Sequence, residues 1–357
     1  MYRLDYFANF PINKKAQMLL SQDFPNANPF SLQDSQSQKN AKQQIAKLLH
    51  SEKVEFFHCT QEGFLALFFN LGCENIAILP SFSHQAYKAY QATASICQSH
   101  SAIEPILLEF AEIASSQALH AKARKILFIP AINEDILSYN NLDAALSFLE
   151  SCEDSLLFVE ISSLLQNADF KSVEKLRHER VLFVLDFGRL GLSKGHGLIA
   201  HSYEGFSLQT PTPNAFFDAS LLCLQDLADN KTLKEYCAHR QNAFLFQTLQ
   251  ESLKDFKPDV FVPLDSCPNN ALALRLFGIK AGVLAQSLLI EKICVINGQD
   301  CMLGNFMPSY VLESMGYEES QRRELLSISF RNLSHNQLHA IAQKIAYVYK
   351  TLRKLDI

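Results

Sequence analysis

Five short apolar runs, separated by stretches with helical spacing, constrain this chain more than any other feature. The runs are VEFFH from residue 54, NIAILP from 75, KILFIP from 125, SLLFVE from 155 and VLFVLD from 181. Between them lie AKQQIAKLLHSE, QAYKAYQATASICQ, NLDAALSFLESCED and FKSVEKLRHE, whose apolar residues recur every three or four positions. An unalternating apolar run is the mark of a strand buried on both faces, and a helix-length connection returns the chain for a parallel neighbour. The first part of the chain therefore predicts an α/β fold, with a mostly parallel sheet sandwiched by helices.

Beyond residue 215 the pattern changes. FFDASLLCLQDLADNKTLKEYCAHRQNAFLFQTLQESLKDF contains too little glycine or proline to break a helix, and predicts one long helical connector. DVFVPL, NALALRLF, KICVING and ELLSISF then follow, and LHAIAQKIAYVYKTLRKL closes the chain as an amphipathic helix, which together make an α+β end-piece. At 357 residues the chain is longer than one hydrophobic core usually supports, so two packed domains are expected.

Composition narrows the classes of function. The formal charge is -5 and the basic residues are scattered, so neither a nucleic-acid backbone nor an anionic membrane is an expected partner. No apolar run is long enough to span a bilayer, and MYRLDYFANFPINKK lacks the apolar core of a secretory signal. Nine cysteines, an odd number with no CxxC pair, argue against a disulfide framework and against a zinc site; no metal is expected, and a reducing cytoplasm fits. Glycine is scarce, 12 residues where average usage of about 7% gives twice as many, and only Gly63 and Gly72 precede residue 188. Loops that cradle phosphates rely on glycine for close backbone approach, so the first half holds little of that material.

Several segments carry a resemblance. RLDYFANFPI at 3 to 12 and FPNANPFSL at 24 to 32 resemble the opening of the cysteine desulfurases, part of the class V aminotransferase family of pyridoxal-phosphate (PLP) enzymes. SCPNNALALRLFGIKAGVLAQSLLIEKICVINGQDCMLGNFMPSYVLESMGY is similar to the family's small domain in order and spacing, and SISFRNLSHNQLHAIAQKI to its last strand and helix. The resemblance implies PLP-dependent transferase fold type I: a large domain over 16 to 235 with a seven-stranded type of sheet, and a small α+β domain over 236 to 357, with an arm at 1 to 15 packing on it. Carried onto this sequence, it implies that His84 stacks on the cofactor ring, that Asn133 meets the ring hydroxyl, that Thr212 reaches a neighbouring subunit's phosphate in a homodimer, and that Cys301 is the persulfide-forming cysteine. Taken alone, His84 and Asn133 read as ordinary hydrogen-bonding and turn residues, and Cys301 as one small hydrophobe among nine.

The departures from the family pattern are as informative. The Ser-Gly-Gly-Thr-Glu cradle is replaced by His58, Cys59, Thr60, Gln61 and Glu62, leaving Thr60 and Gln61 as phosphate contacts. Glu160 ends SLLFVE where the family places an aspartate on the ring nitrogen, with Asp186 as the other candidate carboxylate. VLFVLDFGRLGLSKGHGLIA keeps the family's second loop as Ser193 to Gly197, which puts Arg189 on the Schiff-base lysine position. A guanidinium stays protonated and forms no imine. Ser327 stands at the substrate-carboxylate arginine, with Arg331 nearby. These residues read as a pseudoenzyme that resembles the desulfurases, with a regulatory or sulfur-transfer role and a sulfur acceptor or paralogous protein as partner. The alternative is an active PLP-dependent desulfurase or aminotransferase acting on a small amino acid, with Lys194 as the substitute amine.

Overall fold

In a computed structural model the described residues are 1–21, 36–72, 76–78, 83–96, 126–208, 210, 212–213, 215–298 and 308–355. The chain divides into two compact units. A sheet unit comprises Phe10–Ala131 and Asn140–Asn230; a C-terminal unit comprises Met1–Asn9, Ile132–Tyr139 and Lys231–Ile357.

The strands, in chain order, are β1 (Tyr2–Arg3), β2 (Lys53–His58), β3 (Ile76–Ile78), β4 (Ile126–Pro130), β5 (Leu156–Glu160), β6 (Val181–Asp186), β7 (His196–His201), β8 (Asp259–Val260), β9 (Ala271–Arg275), β10 (Ile293–Cys294) and β11 (Leu325–Ser329). Among the described residues the sheet unit carries six strands of the expected mostly parallel sheet, in the order β2-β7-β6-β5-β4-β3. The pairs β3–β4, β4–β5 and β5–β6 are parallel. Every residue of β4 and β5 is buried, which is why both read as unbroken apolar runs. β7 is the strand that the periodicity does not announce. It runs antiparallel to both β6 and β2, and its first two residues are His196 and Gly197. A Cβ on Gly197 would overlap Cys59 Sγ and stand 2.6 Å from the Leu185 carbonyl oxygen, so only glycine fits there. Aromatic rings fill the core behind these strands: Phe128 stacks on Phe158 at 4.4 Å, and Phe68 meets Phe128 edge-on at 5.1 Å.

The expected long connector is three helices, Phe216–Ala228, Lys231–Ala238 and Gln241–Ser252. Polar residues break it where glycine and proline are missing. Asp229 closes the first helix by donating its N–H to the Gln225 and Leu227 carbonyls, and Arg240 stands at the N-cap of the third. Asp and Asn favour helix ends over interiors because their side chains compete for backbone groups. The C-terminal unit is built on the antiparallel sheet β11-β9-β8 and on the parallel pair β1–β10. The helix His335–Lys354 covers it, started by a capping box between Ser334 and Gln337. Its buried Leu338, Ile341, Ile345 and Tyr349 join Leu272, Leu274 and Ile328 in one core. Asn242 ties the unit together: its buried Nδ2 donates to the carbonyls of Leu264, Pro268 and Ala271. No helix among the described residues is long and apolar enough to cross a membrane.

A buried charge cluster at the ends of strands β5 and β6

Two neighbouring parallel strands each end in a carboxylate. Glu160 closes β5 and Asp186 closes β6, with Glu160 in register with Val184. Ser162 joins them: its N–H donates to Glu160 Oε1 at 2.9 Å, and its hydroxyl accepts from the Asp186 N–H at 2.9 Å. Asp186 Oδ1 then accepts from Gly188 N–H at 2.8 Å and sets the tight turn Phe187–Arg189. That turn carries Arg189 inward until only 8% of it is exposed. Its Nη2 donates to Ser163 Oγ at 3.0 Å, its carbonyl accepts from Gln166 Nε2 at 2.7 Å, and its Nη1 lies 3.8 Å from Glu160 Oε2. That carboxylate oxygen is buried and accepts no hydrogen bond among the described residues.

Burial governs the electrostatics. Removal from water pushes the Glu160 carboxyl up to about 8 against the pull of its Ser162 bonds, and the neighbouring Asp186 adds to the rise. Burial likewise lifts Asp186 to about 7, opposed by the Gly188 N–H and by the charge of Lys194. Desolvation lowers Arg189 to about 10. Around neutral pH the cluster is thus two carboxyls sharing protons beside one guanidinium. Cys59 completes it: its buried thiol donates to the Leu185 carbonyl at 3.5 Å, and burial, then the charges of Asp186 and Glu160, push it well above the ordinary thiol range. A thiol so held is a packing group and not a nucleophile.

The structure brings some of the expected site residues together. Glu160 and Arg189 face each other directly. Thr60 is the N-cap of the helix Gln61–Leu71, accepting from Gly63 N–H at 3.2 Å, and Gln61 is that helix's first residue. A Cβ on Gly195 would stand 3.3 Å from Thr60 Cγ2, so the loop after Lys194 passes beside this cap. Lys194 is exposed, yet near enough to Asp186 to lower its pKa. Thr212 is half-buried in its chain. His84 begins the helix His84–Ile96, but its side chain lies outside the described residues, as does Cys301 altogether.

Asn133 belongs to the C-terminal unit. Its Oδ1 accepts from the N–H groups of Asp135 and Ile136, each at 3.1 Å, which is the turn role its residue type suggests, while its buried Nδ2 has no acceptor among the described residues. In the same unit Ser327 is fully buried and bonded, receiving the Gly298 N–H at 3.1 Å and donating to the Asp135 carbonyl. Arg331 donates to the Tyr6 hydroxyl at 2.7 Å and so is committed elsewhere. Sequence reasoning missed Ser162, Ser163 and Gln166, which position the cluster. The only signal for them is that polar side chains follow a fully apolar strand.

No protein-family model matches the chain, and no curated protein matches it in sequence. Solved structures do match. A NifS-like protein is superposed with a TM-score of 0.74 at 15% identity, covering 98% of this chain and 100% of its own. The cysteine desulfurase CsdA from Escherichia coli gives 0.65 at 14%, covering 99% and 94%. A serine palmitoyltransferase variant from S. paucimobilis, with a bound PLP-myriocin aldimine, gives 0.60 at 12%, covering 99% and 88%. The chain has the cysteine desulfurase fold.

Within that fold the residues do not fit a covalently held pyridoxal phosphate. The position that the resemblance assigns to the bonding lysine holds a guanidinium, seated between Ser163 and Glu160. The cradle position after β2 holds a buried cysteine and a threonine turned to its own helix. Ser327 offers no bidentate fork for an amino-acid carboxylate.

Proposed function

We propose that this chain is a non-catalytic homologue of the cysteine desulfurases, a pseudoenzyme that acts in the cytoplasm as a homodimer and works by binding a sulfur-acceptor or paralogous protein. The observation that carries the reading is Arg189. It is buried, hydrogen-bonded to Ser163 and 3.8 Å from Glu160, so an internal cation faces the carboxylate that the resemblance assigns to the ring nitrogen. Such a pair supports structure and offers no amine to an aldehyde.

The test is incubation of the purified protein with pyridoxal phosphate, borohydride reduction and intact-mass measurement, followed by a sulfide-release assay on cysteine with and without Cys301→Ala. The expected outcome is no reduced adduct, no sulfide above background and no difference between the two proteins. A second reading rests on Lys194, whose charge reaches Asp186. A stable adduct mapped to Lys194, together with Cys301-dependent sulfide release, would overturn the non-catalytic reading and establish an active enzyme that uses Asp186 as its carboxylate.

A further inference from the structure

Strands β2 and β7 are antiparallel, and their register sets His58 of one directly opposite His196 of the other. The next pair outward is hydrogen-bonded, since Cys59 N–H donates to the Gly195 carbonyl at 3.1 Å. Bonded and unbonded pairs alternate along an antiparallel ladder, so His58 and His196 form an unbonded pair, the kind whose side chains stand closest, with Cβ atoms about 4.5–5.5 Å apart. Both imidazoles lie on one shelf of phenylalanines: His58 meets Phe56 edge-on at 4.6 Å, His196 stacks against Phe216 at 6.0 Å, and Phe56 meets Phe216 edge-on at 4.7 Å. His58 is exposed and His196 half-buried, so the pair is open to solvent.

The protons are placed for ligation. His196 Nδ1 lies 3.2 Å from the Ser193 carbonyl and 3.2 Å from the Ser193 hydroxyl. A carbonyl only accepts, so that contact puts the ring proton on Nδ1 and leaves Nε2 with its lone pair, the arrangement by which metal-bound histidines are oriented. The His58 side chain has no hydrogen bond among the described residues. Partial burial, followed by the charge of His196, lowers its pKa below the ordinary histidine value, which favours the neutral ring. Competing groups point away. Side chains alternate along a strand, so Cys59 and Gly197 lie on the opposite face, where Cys59 donates to the Leu185 carbonyl and Lys194 acts on Asp186, the register partner of Gly197. Two neutral imidazoles rooted so close can share one ion at metal–nitrogen distances of about 2.0–2.1 Å, and imidazole suits zinc, copper and nickel. No group of three or more metal-ligating side chains occurs among the described residues, so water or a donor from outside the chain fills the other positions. We infer that His58 and His196 form a two-histidine binding site for a divalent transition-metal ion. The inference is independent of the non-catalytic reading, because neither histidine belongs to the charge cluster.

The test is calorimetric titration of the full chain, without a polyhistidine tag and with its accessible cysteines alkylated by iodoacetamide, using nickel chloride, zinc chloride and magnesium chloride. Magnesium is the control, a hard cation that prefers oxygen ligands. Saturable one-to-one binding of nickel and zinc ions is expected, with no response to magnesium. His58→Ala and His196→Ala are each expected to weaken binding about tenfold or more with an unchanged circular dichroism spectrum. His58 is exposed, so His58→Ala decides the question by itself if His196→Ala loses its fold. Binding is also expected to weaken as pH falls from about 7.5 to 5.5, because protons compete with the metal for the rings. Absence of saturable nickel binding at millimolar concentration, equal binding by the wild type and His58→Ala, or an equal response to magnesium, overturns the inference.

Discussion

Replacing Arg189 by methionine keeps much of the buried volume and deletes the charge, and its cost depends on pH in a way the geometry specifies. At 3.8 Å and an effective dielectric of about 20, the attraction between Arg189 and an ionised Glu160 is about 4 kcal/mol, an upper bound because it is realised only when Glu160 is charged. Glu160 in the folded wild type ionises near pH 8. Around pH 6 it is protonated with or without its partner, so Arg189→Met loses mainly the bond to Ser163, about 2 kcal/mol. Above pH 8 the wild type releases the proton and gains the pair, whereas the variant must keep the proton. Its folded state then binds one proton more than the wild type, and the deficit grows by about 1.4 kcal/mol per pH unit. The measurement is amide exchange of peptides covering β5 and β6, which reads local opening without assuming that both units unfold together. Wild type, Arg189→Met, Glu160→Gln and the double variant form a cycle, run at pH 6 and pH 9. The coupling is expected near zero at pH 6 and at about 1–1.5 kcal/mol at pH 9. A coupling that is absent at pH 9, or the same at both, would refute the claim that this pair is an ionisation-dependent contact.

Three other outcomes are open to measurement. Glu160 and Asp186 hold protons in the folded state at pH values where the unfolded chain, with carboxyls near 4, has released them; stability of the sheet unit therefore falls as pH rises from about 5 to 8 and levels off above, and Glu160→Gln flattens the decline. Gly197→Ala forces a methyl onto Cys59 Sγ and the Leu185 carbonyl and is expected to cost about 3 kcal/mol, with Cys59→Ala restoring only part because the carbonyl remains, as thermal melts of the three variants would show. Asn242→Ala strands three carbonyls in the C-terminal unit and is expected to lower the urea midpoint of that unit by an amount corresponding to about 2–3 kcal/mol, whereas an effect under about 0.5 kcal/mol would mean that the bonds to Leu264, Pro268 and Ala271 are replaceable.

The parts of the fold that were legible in the sequence are those whose burial is one-sided in physics, if not in space. β4, β5 and β6 read as apolar runs up to their last residues because almost nothing in them sees water, and the helices between them keep their period because one face packs on the sheet. β7 was hidden because its apolar run is only Leu198 to Ala200, set between His196-Gly197 and His201, and its place is fixed by Cys59, just past the end of β2. The connector broke at Asp229 and Asn230, residue types that favour helix ends, although no glycine or proline marks the break. At the site, the arginine in place of a lysine could be read directly, but its partner could not. Glu160 and Arg189 are separated by 29 positions in the chain, and only the turn after β6 carries the guanidinium to the carboxylate. Likewise, nothing in the residue types of Ser327 and Asp135 announces that they bond to each other.

The pairing of Tyr2 with Ile293 and of Arg3 with Cys294 has a consequence for biosynthesis. The two strands are made roughly 290 residues apart, so at ribosomal speeds of about 5–20 residues per second the first waits on the order of 15–60 s for its mate. Asp5 and its bridge partner Ser329 wait longer still. The leading segment therefore stays without its partner strand for the whole time that the sheet unit is being made.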